Sequence, residues 1–421
     1  VVSTRMPDLT RLGWGLAIPV LFLCGLGVAA IHAAERGAST NRTDNPRWRT
    51  DPPAQPACLE GWTGGWRESV AQAVGPLTCR QLAYLAGGVA LMFAILRPAY
   101  QKIGRYVYPA YFITLGLLVL LVLDRYVDLP MVPVRKDVRR WVSLGPLSLQ
   151  PSEFMKLVLV LTLARYLRFR DSYRRLRGLT LPFVFTLVPM GLILAEPDLG
   201  TTLMLPPVLF LMLFVAGARL RHLTLLALLG AALLPALYFW GMKEYQRDRI
   251  RIVFRQEVPD ERWHAGPGYQ LRQSKIALGS GGLYGHGWGR GVFIESPTSL
   301  LPEEHNDFIF ALIGHQWGFI GCLLVILAYT AIVLFGLEVA TVTNDPFGRL
   351  IALGVVTMIV VQALLNMAMT TGLAPVTGMT LPFVSAGGSS LWANFLGLGL
   401  LVNVAQRRPM LIAHPPFEHK N

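Results

Sequence analysis

The sequence predicts an all-α, polytopic integral membrane protein. Three observations carry the prediction. The 421 residues are 53% hydrophobic and only 15% charged, less charge than a soluble domain carries, and the mean hydropathy is +0.46. Apolar runs of about 20 residues, the length that crosses the hydrocarbon core, recur along the whole chain. The runs are long and unalternating, and in lipid only helices or closed barrels satisfy the backbone, so they read as helices. The chain is expected to form a single transmembrane unit, residues 1–421, of about ten helices.

In order, the expected spans are Leu12–Ala34, Gln81–Leu96, Tyr108–Asp124, Glu153–Leu167, Leu179–Ala195, Gly200–Gly217, Leu223–Trp240, Phe308–Phe335, Leu350–Thr370 and Gly388–Ala405. The first resembles a secretory signal, with Arg5 and Arg11 before an apolar core and Ala-Ile-His-Ala-Ala at its end. Its apolar stretch is long for a signal, so it reads as an uncleaved span.

Lys and Arg in short loops set the orientation. Arg97, Lys102 and Arg105 follow the second span, Arg168, Arg170, Arg174, Arg175 and Arg177 the fourth, Arg219 and Arg221 the sixth, and Arg407 and Arg408 the tenth. These loops share one side, which makes that side the cytoplasm and both termini cytoplasmic. Two outer loops are also basic. The short one holds Arg135, Lys136, Arg139 and Arg140; the long one, residues 241–306, holds Lys243, Arg247, Arg249, Arg251, Arg255, Arg262, Arg272 and Lys275. A basic surface on the outer face is thus expected. It calls for an anionic partner, either a phosphate or pyrophosphate or the head groups of membrane lipids. No nucleic-acid partner is expected.

Residues 35–80 read as an extracytoplasmic insertion, rich in Pro and Trp, with little regular structure. Its Cys58 and the nearby Cys79 could pair outside the cytoplasm, whereas Cys24 and Cys322 lie within spans as packing residues. No CxxC or His-rich metal pattern is present.

The candidate chemistry begins at Leu301–Gly318, LPEEHNDFIFALIGHQWG, where an acidic turn meets a long apolar helix. Asp307 sits at that seam. It reads as a catalytic base at the membrane surface or as a plain helix cap. Arg139, Arg140 and Trp141 precede Pro151, Ser152, Glu153 and Lys156. Pro151 suits a first helical turn. Glu153 and Lys156, three apart, share a helix face and can pair, either as a functional intramembrane couple or as a structural bridge. Trp141 suits an interfacial belt or a substrate platform. Asp198, in Glu-Pro-Asp-Leu-Gly-Thr, can cap the following helix or join the outer cationic cluster. Gln270, Ser274 and Lys275 lead into glycines at 279, 281, 282, 285, 287, 289 and 291. That run lacks the ending of a P-loop. It suits a re-entrant or interfacial loop whose backbone approaches a ligand, or a flexible connector. Ser385 and the small residues around it either line the cleft or permit close helix packing.

These blocks resemble the SEDS family (shape, elongation, division and sporulation), its RodA branch more than its FtsW branch. The matching stretches are RRWVSLGPLSLQPSEFMKL, EPDLGT, EYQRDRI, GYQLRQSKIALGSGGLYGHGWGRG, LPEEHNDFIFALIGHQWG and GLAPVTGMTLPFVSAGGSS. Before them the likeness is mainly one of hydropathy. Asn306 stands where the family pattern usually has Thr, and the 35–80 insertion departs from it. The resemblance implies a SEDS-type fold in the bacterial cytoplasmic membrane. It also implies a peptidoglycan glycosyltransferase that polymerises lipid II on the outer face during cell-wall elongation. By motif position, Asp307 matches the family's essential acidic residue, Glu153 and Lys156 its paired cavity residues, and Trp141 and Asp198 further functional positions. The implied partner is a class B penicillin-binding protein. A divalent cation, Mg²⁺ or Mn²⁺, or the Arg and Lys side chains would stabilise the departing diphosphate. Two rival readings are a lipid II flippase and a membrane scaffold that recruits a transpeptidase.

Overall fold

In the computed structural model, described residues are 14–44, 75–127, 132, 139–144, 147–168, 176–242, 244–256, 268–295, 301 and 305–407. Ten helices match the expected spans. They are α1 (Trp14–Asp44), α2 (Pro76–Leu96), α3 (Val107–Val127), α4 (Pro151–Leu167), α5 (Leu176–Ala195), α6 (Leu199–Ala216) and α7 (Leu220–Ala236), then, after two outer helices α8 (Glu244–Phe254) and α9 (Tyr269–Ser280), α10 (Ile309–Val342), α11 (Pro346–Thr371) and α12 (Gly388–Gln406). Eight are long and apolar enough to cross a membrane, Tyr100–Asp124 counting as one; α4 and α7 have 17 residues each.

Local chemistry sets the helix ends. Pro76, Pro151 and Pro346 open α2, α4 and α11, where a missing N–H costs nothing. Gly217 and Gly372 close α6 and α11 in the left-handed conformation. The core lies between α4, α11 and α12, most of whose residues are buried, whereas α7 buries only Leu223.

Polar contacts gather at two opposite ends. At one, Asn403 of α12 donates to the carbonyls of Ile95 (2.8 Å) and Pro98 (2.7 Å), and Arg168 pairs with Asp345 at 3.3 Å. At the other, the starts of α4, α6, α10 and α12 converge. Loops expected on one side of the membrane thus meet one another.

Three features depart from expectation. First, α1 does not end at Ala34. It continues to Asp44, and Glu35 accepts from the backbone amides of Leu77 (2.7 Å) and Thr78 (3.0 Å), capping the start of α2. Residues 45–74 of the insertion, with Cys58, fall outside the described residues, as do Arg135, Lys136 and Arg262. Second, a two-stranded antiparallel ribbon precedes α4: β1 (Val142–Leu144) pairs with β2 (Leu147–Leu149), Ser143 opposite Ser148. Third, α10 is broken at Gly318 (φ 62°, ψ −157°). The glycine-rich segment packs against that break. Its amides at His286 and Gly287 donate to the carbonyls of His315 and Gln316 (3.1 and 3.0 Å), and its carbonyls at Gly282 and Leu283 accept from Phe319 and Ile320 (2.8 and 3.2 Å). The loop thus supplies the hydrogen bonds that the broken helix cannot make for itself. A Cβ at Gly285 would lie 2.1 Å from the Gln316 carbonyl oxygen, so the approach requires glycine.

Candidate active site

Asp307 is half-buried at the head of α10. The N-cap is Phe308, whose own side chain makes no capping hydrogen bond. Three hydrogen bonds hold the backbone of residues 305–307, one at each carbonyl. Asn366 of α11 donates to the Asp307 carbonyl (2.9 Å), the Ser385 hydroxyl donates to the Asn306 carbonyl (2.5 Å), and the Ala386 amide donates to the His305 carbonyl (2.9 Å). Gly378, at φ 75°, faces the carboxylate; a Cβ there would lie 3.3 Å from an Asp307 oxygen. Ser385 is buried and acts as a latch, since its oxygen also accepts from the Leu381 amide at 2.7 Å.

Glu153 and Lys156 form the pair their spacing allows, at 2.8 Å, and both are buried. The ammonium also donates to Gln362 at 3.1 Å, and Gln362 in turn donates to Thr380 and Ser390. Gln362 and Asn366 lie four apart on α11 and share a face. One helical turn, about 6 Å of rise, therefore separates the anchor of Lys156 from the anchor of Asp307. These two amides had no assigned role in the sequence, although polar residues four apart inside an apolar span are a readable signal.

Asp198 caps α6 through the Thr201 amide (3.2 Å). Its second oxygen takes Ser152 (3.1 Å), Gln150 (3.2 Å) and the Thr201 hydroxyl (2.9 Å), which ties the start of α6 to the start of α4. The two arginines expected to clamp substrate are engaged by the protein. Arg139 bridges to the buried Asp124 at 2.9 Å, and Arg140 donates to the carbonyls of Glu196 (2.9 Å) and Pro197. Trp141 is half-buried at the base of the ribbon. Ser274 is buried and donates to the Thr370 carbonyl at 2.9 Å, which docks α9 on the end of α11. Gln270 is half-buried on α9, and Lys275, exposed, donates to Gln256 at 3.0 Å.

Glu196 was quoted in the sequence but given no role. It is 4% exposed, and neither carboxyl oxygen has a hydrogen-bond partner. Burial, then the Asp198 charge, push its pKa up to about 9, with Arg140 pulling the other way. Among the described residues, no group of three or more His, Cys, Asp and Glu could hold a metal. The site thus combines one carboxylate at a helix mouth and a buried ammonium–carboxylate pair, with their anchors, Asn366 and Gln362, one turn apart on α11.

Comparison with known proteins follows this geometry. Residues 68–409 match the FtsW, RodA and SpoVE family, described as cell cycle proteins. The peptidoglycan glycosyltransferase MrdB of Escherichia coli is 35% identical over 278 residues, covering 66% of this chain and 74% of that protein. The stage V sporulation protein E of Bacillus subtilis is 36% identical over 337 residues, covering 78% and 86%. Among solved structures, a chain from a peptidoglycan synthase complex that coordinates polymerization and crosslinking is 27% identical, with a TM-score of 0.71 and coverage of 94% and 98%. The rod shape determining protein RodA of Thermus thermophilus gives a TM-score of 0.62 at 27% identity, covering 94% and 97%.

Proposed function

We propose a mechanism from one premise: the chain belongs to the FtsW/RodA/SpoVE family, and it is a peptidoglycan glycosyltransferase. The donor is lipid II or a growing chain on the same polyprenyl diphosphate, and the acceptor is a sugar hydroxyl. The hydroxyl attacks the anomeric carbon, the glycosidic bond forms, and the bond to the diphosphate breaks. Diphosphate leaves readily, so one base suffices where glycoside hydrolysis usually needs two carboxylates. Asp307 takes the hydroxyl proton. Lys156, held by Glu153 and Gln362, contributes positive charge beside the reacting centre.

The observation that supports this most is the bracing of Asp307 by Asn366, Ser385 and Ala386, with the bare Gly378 opposite its carboxylate. Such bracing fixes a reactive group at the mouth of the bundle. A divalent cation, Mg²⁺ or Mn²⁺, would enter with the substrate: Mg²⁺ is commonly held by one or two carboxylates together with phosphate oxygens. Asp307 would be its protein ligand, and the ion would supply charge to the leaving diphosphate. The protein works at the outer face of the bacterial cytoplasmic membrane with both termini inside, and a class B penicillin-binding protein crosslinks its product.

The test is polymerisation of purified lipid II by the isolated protein. Asp307→Asn should lower the rate by roughly 10²–10⁴-fold, the range of general-base catalysis. A normal glycan ladder from the Asn variant would overturn the base assignment. Movement of unaltered lipid across vesicles with no ladder would favour the flippase. Cell-wall growth unaffected by the variant would favour the scaffold.

A further inference from the structure

The outer helices α8 and α9 enclose a groove of about 260 Å³. Arg255, Arg272 and Lys275 line it, above a floor that includes Ile252 and Leu271. No carboxylate is among its described lining residues. The three cations are exposed, and so are Ile276 on its wall (45%) and the adjacent Phe254 (82%). A cationic groove with apolar surface leading away from it fits an anionic head group with a hydrocarbon tail. Three cations exceed what a single phosphate requires, and guanidinium forks match phosphate oxygens.

The groove is also tied to the catalytic lattice. Gln256 donates to the carbonyls of Gly372 (2.7 Å) and Val253 (2.8 Å), and its oxygen accepts from Lys275 (3.0 Å). Ser274, beside Lys275, holds the Thr370 carbonyl. Thr370 lies one helical turn, about 6 Å, beyond Asn366, the residue that fixes Asp307. We propose that this groove binds the diphosphate of a second polyprenyl-linked substrate, next to the one that reacts at Asp307. The inference rests on the glycosyl-transfer reading, since joining two lipid-linked sugars requires two diphosphates held near each other.

The experiment uses the purified full chain in detergent and native mass spectrometry. Undecaprenyl diphosphate and phosphatidylglycerol are the lipid probes, and inorganic pyrophosphate is the competitor. The parent should retain undecaprenyl diphosphate in preference to phosphatidylglycerol and release it to pyrophosphate. Arg272→Gln with Lys275→Gln should bind it roughly ten- to a hundredfold more weakly, from the loss of two charge-assisted contacts. Because the reacting site also takes a diphosphate, the double variant should lose one of two bound undecaprenyl diphosphates and keep the other, so loss of this site and loss of the reacting site are separate results. On the unsubstituted protein, undecaprenyl diphosphate should also shield the Lys275 amine from acetylation, read by peptide mass, which requires no variant to fold. Unchanged binding by the double variant, equal retention of phosphatidylglycerol, or unshielded Lys275 would each overturn the proposal.

Discussion

Glu196 carries almost no charge at neutral pH, because burial and the neighbouring Asp198 hold its pKa near 9 against an ordinary value of 4.5. The sign of the consequence follows. The folded chain keeps a proton that the unfolded chain loses above pH 4.5, so the stability this proton supports is whole below pH 4.5 and drains away as pH rises towards 9. Glu196→Gln, which never ionises, should melt at the same temperature as the parent near pH 4.5 and a few degrees higher near pH 8. Parallel melting curves across that range would exclude the effect. Glu196 was hidden in the sequence because its surroundings come from distant segments, Arg140 among them. The Glu153–Lys156 pair was legible because three-residue spacing fixes a shared face. Arg139 and Arg140 looked available because their acceptors, Asp124 and the carbonyls of Glu196 and Pro197, are far away in sequence. Asp198 proved to cap α6, one of the two roles the local motif left open, and its side chain's partners beyond α6 are the neutral Ser152 and Gln150 rather than the outer cations.

Among the elements, eight of the ten apolar helices were legible to within about five residues, because span length is imposed by the bilayer itself, whereas α1 runs on to Asp44 from an expected end at Ala34 and α10 to Val342 from one at Phe335. What escaped was the extension of α1, the ribbon and the break in α10. The ribbon carries an alternating Val-Ser-Leu and Leu-Ser-Leu pattern, but three-residue strands are too short to stand out. The glycine segment was noticed, yet its ligand is a neighbouring helix backbone, which composition alone does not reveal. Gly285→Ala tests that role. The substitution places a methyl group 2.1 Å from the Gln316 oxygen and strains a φ of 78°. The left-handed conformation alone costs about 1–2 kcal/mol. The variant should therefore lose thermal stability and activity together, whereas Gly289→Ala, which would meet nothing within 4 Å, should suffer only the conformational strain. Equal melting temperatures for the two variants would remove the splice from the account.

The whole molecule is a bundle with a braced mouth around Asp307 at one end and a clamp of Asn403, Arg168 and Asp345 at the other. The positive-inside rule assigns the clamp to the cytoplasm. In a chain whose native cysteines have been replaced, a cysteine at exposed Arg272 should react with an impermeant maleimide on intact cells, and one at exposed Arg221 only after permeabilisation. The reverse pattern would invert the topology. The family likeness, carried by motifs from residue 139 onward, was legible because those motifs build the mouth. The spliced helix also bears on biosynthesis. Residues 281–287 leave the ribosome ahead of α10, so the strand that will mend the gap is already outside when the interrupted helix arrives. Had the order been reversed, bare amides would have had to wait in oil for their acceptors, at several kcal/mol apiece.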